Sequence, residues 1–206
     1  NNKAIGGVYP PGSTYKMVTA LAALESKAVE PWTVLPCTGY LKLGDLKFHC
    51  WLKNGHGGMN VTTALAQSCD CYFYEAARRT GVDRIAEVAA KLGFGKQSDL
   101  GLPGESAGIQ PSRQWKQEKY SKPWQHGDTF NLGIGQGYMA STPLQLAIMT
   151  ARLANGGYEV QPNLLLAKAS PREELAPPAP RETPTAPNLR FSPQNLNLVR
   201  DGMVQV

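Results

Sequence analysis

Residues 9 to 25 read YPPGSTYKMVTALAALE, a turn that runs without a break into an apolar helix. Pro10-Pro11-Gly12 cannot continue a helix, so the chain must bend there. Ser13 is suited to a cap or first turn, and Met17, Leu21, Leu24 and Ala28 then recur at helical spacing, with Pro31 ending the run. A helix this apolar has to be buried, and the rest of the chain has to be built round it. Lys16 lies in its first turn beside Met17, Val18 and Ala20, where a solvated lysine is not the expected occupant.

The remaining punctuation sets further elements. Residues 36 to 59 are turn-rich, with Gly39, Gly44, Gly55, Gly57 and Gly58. Asn60 caps a second helix that the pattern carries unbroken to Gly81, and a third runs from Val82 to Leu92 and stops at Gly93. The glycine-rich stretch from 93 to 137 reads mostly as loop, pinned by Trp115, Tyr120 and Trp124. Thr142 caps a clear helix with Pro143 at its first position and Gly156-Gly157 at its end. YEVQPNLLLAK, from Tyr158, reads as one or two strands. Residues 168 to 190 are proline-rich without apolar periodicity, which predicts an extended surface loop. Ser192-Pro193 opens a last short helix.

The chain has 206 residues and a formal charge of +5, from 21 basic and 16 acidic side chains. That size admits one domain or a large piece of one. No dense Lys/Arg run interleaved with aromatics is present, which argues against nucleic acid. No stretch approaches a membrane span, and the abrupt ends suggest an excised segment. Gly133, Gly135 and Gly137 lack the strand, turn and helix of a phosphate cradle, so a tight turn near a cleft is the better reading.

Ser13 and Lys16 are three apart and neighbours on a helix. A serine hydroxyl needs a base to become a nucleophile, and burial lowers a lysine's pKa towards that role. The helix N-terminus adds free N–H groups beside the serine, suited to a developing oxyanion. Ser-x-x-Lys alone is common by chance, with Ser13 an ordinary cap. A second constellation, Ser68-Cys69-Asp70, supplies a hydroxyl to relay a proton and a carboxylate to orient it; the plainer reading is a helical serine bonded locally.

Cys37, Cys50, His56 and Cys69 follow at spacings of 13, 6 and 13. No Cys-x-x-Cys knuckle is present, but three thiolates and an imidazole form a closed tetrahedral set for structural zinc. A Cys37–Cys50 disulfide and plain buried thiols at Cys69 or Cys71 are the alternatives. His49 and His126 read as loop histidines.

Three quoted segments carry a resemblance: YPPGSTYKMVTALAALE, GHGGMNVTTALAQSCDCYFYEAA and LGIGQGYMASTPLQLA. Together they resemble the class B penicillin-binding proteins, the D,D-transpeptidases that cross-link peptidoglycan, over roughly residues 4 to 166 and the last helix. His49-Cys50-Trp51, Gly55-His56-Gly57 and Asp70 in place of Asn look like the elongation branch, the penicillin-binding protein 2 type. The resemblance implies a mixed α/β serine D,D-peptidase fold, here mainly its helical part, within one partial domain. It implies Ser13 as nucleophile, Lys16 as acylation base, Ser68 as proton relay and Asp70 as orienting group. It implies no catalytic cofactor, and it adds weight to zinc, since some elongation-type members carry a metal in this loop. The implied partners are a stem peptide ending in D-Ala-D-Ala, β-lactams and a membrane glycan polymerase, at the periplasmic face of a bacterial inner membrane to which a further N-terminal segment anchors the protein. The family's Lys-Ser/Thr-Gly motif, which binds the substrate carboxylate, is absent from these residues. A β-lactam sensor and an inactive zinc-stabilised scaffold are the other readings.

Overall fold

The computed structural model describes residues 2–164 and 186–206. Its centre is the helix α2 (Lys16–Glu25), entered through a 3₁₀ turn, Gly12–Tyr15. Every residue of α2 from Val18 to Leu24 is buried. Three of these are alanines, which let neighbouring helices approach closely, and burying Leu21 alone stabilises by roughly 2 to 3 kcal/mol. Round it lie α4 (Asp70–Thr80), α5 (Val82–Leu92) and α9 (Pro193–Val204), with α3 (Val61–Ala66) seated on α9. A short α1 (Lys3–Gly6) and α8 (Pro143–Ala154) close one side, and α6 (Arg113–Tyr120) and α7 (His126–Gly133) complete the helices of the described residues.

The β content is small and antiparallel. β1 (Leu35–Cys37) pairs with β4 (Gly57–Met59), placing Cys37 opposite Gly57. β2 (Tyr40–Leu43) pairs with β3 (Leu46–His49) round Gly44, whose φ of +58° suits the turn. These ribbons lie on α4, which is buried along the face carrying Cys71, Phe73 and Tyr74.

Several boundaries follow the caps read from the sequence. Asn60 accepts from Thr63 N–H in a reciprocal capping box, Thr142 does the same with Gln145, and Ser192 precedes Pro193. α5 ends at Gly93 with φ +108°.

Four expectations change. The helix expected from 60 to 80 is two helices, broken at Ser68 in the left-handed region with φ +50°. The stretch from 93 to 137 contains α6, capped by Ser112, and α7, whose first turn holds Asp128 against the Gln125 N–H. His126 opens α7, and His49 ends β3. Between Tyr158 and Leu164 no strand forms among the described residues; Tyr158 makes a single antiparallel bridge to Asn188. Most of the proline-rich 168–190 segment lies outside the described residues.

Candidate active site

Ser13 lies exposed in the 3₁₀ turn, one turn before the buried body of α2. The turn is held from below: Gly12 N–H donates to the Gly135 carbonyl at 3.0 Å, and Thr14 Oγ1 donates to Pro11 O at 2.8 Å. Gly135, at φ +70°, stands so close that a Cβ there would lie 2.7 Å from Tyr15 Cβ and 2.8 Å from Gly12 N. The glycine-rich segment therefore has its place directly under the serine turn. Tyr15 points the other way, its hydroxyl on Gln110 Oε1 at 2.8 Å, and burial pushes its pKa up.

Lys16 is 1% exposed. Its ammonium has three acceptors: Asp70 Oδ1 at 2.6 Å, the Ser68 carbonyl at 2.8 Å and Ser68 Oγ at 2.9 Å. Three donors meet three acceptors, so the buried cation is fully satisfied and paired with a carboxylate. The Phe73 ring lies 5.7 Å from Nζ and closes the remaining side.

Ser68 Oγ in turn donates to Ser13 Oγ at 2.9 Å. The hydrogen-bonded route from Lys16 to Ser13 thus runs through Ser68. That route exists because the chain breaks between α3 and α4. An uninterrupted helix would give Ser68 helical φ and ψ; the left-handed turn instead costs about 1 to 2 kcal/mol and is over-determined by its neighbours. The Ser68 carbonyl accepts from Lys16 and from Trp51 Nε1, the latter at 3.1 Å. Asp70, in the first turn of α4, is favoured there by the helix dipole. Its second oxygen accepts from the Trp51 backbone N–H at 3.0 Å.

A groove of about 320 Å³ opens over the two serines, walled by Thr14, Met17, Leu65, Met203 and Val206. Its apolar walls suit a methyl-bearing substrate, and its floor carries both hydroxyls. A groove of about 370 Å³ beside Glu25, Arg84, Glu87 and Lys91 contains no such pair.

Behind the site stands a cluster of three thiols and an imidazole. The ligand atoms of Cys37, Cys50, His56 and Cys69 lie within 4.8 Å of one another. His56 Nδ1 is 3.5 Å from Cys37 Sγ and 3.6 Å from Cys50 Sγ. Bond lengths of about 2.3 Å to sulfur and about 2.0 Å to nitrogen, at a tetrahedral angle, put S and N about 3.5 Å apart, so these two contacts match a zinc tetrahedron. All four cysteines are free thiols, Cys37 and Cys50 included. Burial works against a Cys37 thiolate, but hydrogen bonds from His56 and Gly39 outweigh it and hold its pKa at about 6. Burial pushes Cys69 and Cys71 up. Cys69 sits between Ser68 and Asp70, and Cys50 directly precedes Trp51, so each of these two thiols is covalently adjacent to the serine site.

Trp115 and Tyr120 pack on each other and on Tyr138 at 5.3–5.6 Å between centroids, while Trp124 Nε1 bonds Thr129 Oγ1 at 2.8 Å. These rings tie α6 and α7 to the body. Sequence reasoning gave Trp51 no role of its own; its signal was its place in the His49-Cys50-Trp51 run.

The chain is similar to known proteins over most of its length. A family model described as the penicillin binding protein transpeptidase domain matches residues 1–206. The Escherichia coli K12 peptidoglycan D,D-transpeptidase MrdA is 38% identical over 185 residues, 89% of this chain and 29% of its own length. Among solved structures, Pseudomonas aeruginosa PBP2 in complex with WCK 5153 superposes with a TM-score of 0.84 at 40% identity, over 98% of this chain and 45% of that one. PBP2 of Helicobacter pylori in complex with MreC gives 0.86 at 29% identity, covering all of this chain and 36% of that one. The chain therefore spans under a third of the curated relative it matches, and under half of each of these two structures.

Proposed function

The chain belongs to the penicillin-binding protein transpeptidase family, and from that premise we propose that it carries the acylation half-site of a peptidoglycan D,D-transpeptidase of the elongation type. The carrying observation is the unbroken relay Lys16 Nζ, Ser68 Oγ, Ser13 Oγ, with 2.9 Å at each step. When Lys16 is neutral, the two hydroxyls rotate and the same contacts run in reverse. Ser13 Oγ–H donates to Ser68, Ser68 donates to Lys16, and the Ser13 oxygen attacks.

The attack forms an ester between Ser13 Oγ and the penultimate D-Ala carbonyl of a stem peptide. The C–N bond to the terminal D-Ala breaks, and the released amine takes a proton back along the Lys16–Ser68 relay. An amine from a neighbouring strand then attacks the ester and frees Ser13. Asp70 holds the Lys16 ammonium in place between these proton transfers. β-Lactams enter the same step: the amide bond of the ring opens and no group departs, so the ester persists. Substrate carboxylate binding and the second oxyanion donor belong to the Lys-Ser/Thr-Gly motif, which these 206 residues do not contain.

Cys37, Cys50, His56 and Cys69 would hold a structural zinc. The metal would supply no catalytic chemistry; it would tie the β-ribbon loop to the segment carrying Ser68 and Asp70. In this reading the parent protein would work at the periplasmic face of the inner membrane beside a glycan polymerase. The H. pylori relative, solved with MreC, supports an elongation assembly. Among the described residues no helix is long and apolar enough to cross a membrane.

Labelling the full-length parent with a fluorescent penicillin tests the reading. Wild type labels stably and Ser13→Ala does not. An unlabelled wild type, or a labelled Ser13→Ala, refutes it.

A further inference from the structure

Trp51 is 62% exposed, yet both of its N–H donors, indole and backbone, are committed. Nε1 donates to the Gln67 and Ser68 carbonyls at 3.1 Å each, and the backbone N–H donates to Asp70 Oδ2 at 3.0 Å. Its ring meets the His56 ring at 5.2 Å between centroids and 67°, a T-shaped contact, and His56 Nε2 is buried without a nitrogen or oxygen partner. One residue therefore touches the metal-ligand set on one side and the strained Ser68 turn on the other. An exposed tryptophan held only for packing has no reason to spend its N–H on the carbonyl of a left-handed serine.

We propose that Trp51 is a positioning residue: its indole N–H, with Lys16, clamps the Ser68 carbonyl, and its backbone N–H fixes Asp70. This deepens the acyl-transfer reading and rests on it. With the clamp gone, the Ser68 carbonyl keeps Lys16 alone, and Ser68 Oγ leaves the line between Lys16 and Ser13 for part of the time. Binding of the ligand in the groove is untouched; the chemical step slows.

Trp51→Phe keeps the ring against His56 and the backbone N–H, and removes only the indole donor. In the full-length parent, acylation by a reporter β-lactam is resolved into a rate constant and a non-covalent dissociation constant. The rate constant falls about tenfold in Trp51→Phe, while the dissociation constant stays within about twofold. Metal content and melting temperature match wild type. An unchanged rate constant, or a fall shared with metal content and melting temperature, overturns the proposal. Wild-type labelling that is lost in Ser13→Ala, run alongside, shows separately whether the acyl-transfer reading stands.

Discussion

Gly135 tests whether the serine turn is held by backbone contact. Alanine there meets two separate costs. At φ +70° the left-handed backbone costs an L-residue about 1 to 2 kcal/mol. The new Cβ would also run into the Gly12 carbonyl oxygen and approach Tyr15 Cβ to 2.7 Å. Both are backbone or near-backbone atoms at the start of α2, so no flexible side chain can swing away, and overpacking of this kind costs about 1 to 3 kcal/mol. The sum is roughly 2 to 5 kcal/mol, or a fall in melting temperature of about 4 to 20 °C at 2 to 4 °C per kcal/mol for a domain this size. Gly44→Ala is the control, because Gly44 has φ +58° with nothing within 4 Å of a Cβ and should lose only the backbone cost of about 1 to 2 kcal/mol. Penicillin labelling reports the chemical side: a displacement of about 1 Å at Ser13 costs about a hundredfold in acylation rate. Gly135→Ala as stable and as reactive as Gly44→Ala would refute the claim that this glycine supports the Ser13 turn.

Protein purified without chelator should contain about one zinc per chain, and Cys69→Ser should lower that occupancy; metal-free wild type with Cys37 and Cys50 bridged would remove the metal site. Thr19 Oγ1 donates to the Gly133 carbonyl at 2.9 Å in full burial, so Thr19→Val should cost about 1 to 3 kcal/mol in urea unfolding by orphaning that carbonyl. Arg78 and Arg79 hold the Glu75 carboxyl below its usual range, with Arg78 the larger influence. A depressed carboxylate contributes above its unfolded pKa and loses that contribution as pH falls through the folded value. Glu75→Gln should therefore cost about 0.5 to 1 kcal/mol at pH 7, discounted for the exposure of both arginines, and nothing measurable once acid has neutralised the carboxylate.

The helix termini were legible because their signals are local: Asn60 with Thr63, Thr142 with Pro143, and the glycines at 81 and 93 each act within a few residues. The break at Ser68 was not legible for the opposite reason. Nothing in NVTTALAQSCDCYFYEAA forbids a continuous helix; the left-handed turn is held by Lys16, 52 positions away in sequence, and by Trp51, 17 away. The two helices inside 93–137 carry usable caps at Ser112 and Gln125, but the glycines around them outweighed those caps in the reading. The missing strand at Tyr158 has a plain cause, since a strand needs a neighbour and the described residues offer only Asn188. Sequence brought Ser13 and Lys16 together by helical spacing. It could not show that the lysine's route to Ser13 passes through Ser68, because that depends on where α4 is pinned.

Intact-mass and peptide-level spectrometry of the full-length parent after brief exposure to penicillin bears most directly on that route. A mass gain of one whole penicillin should appear on the peptide carrying Ser13, fast in wild type and strongly slowed in Ser68→Ala. An adduct on any other residue, or equal rates with and without the Ser68 hydroxyl, would contradict it.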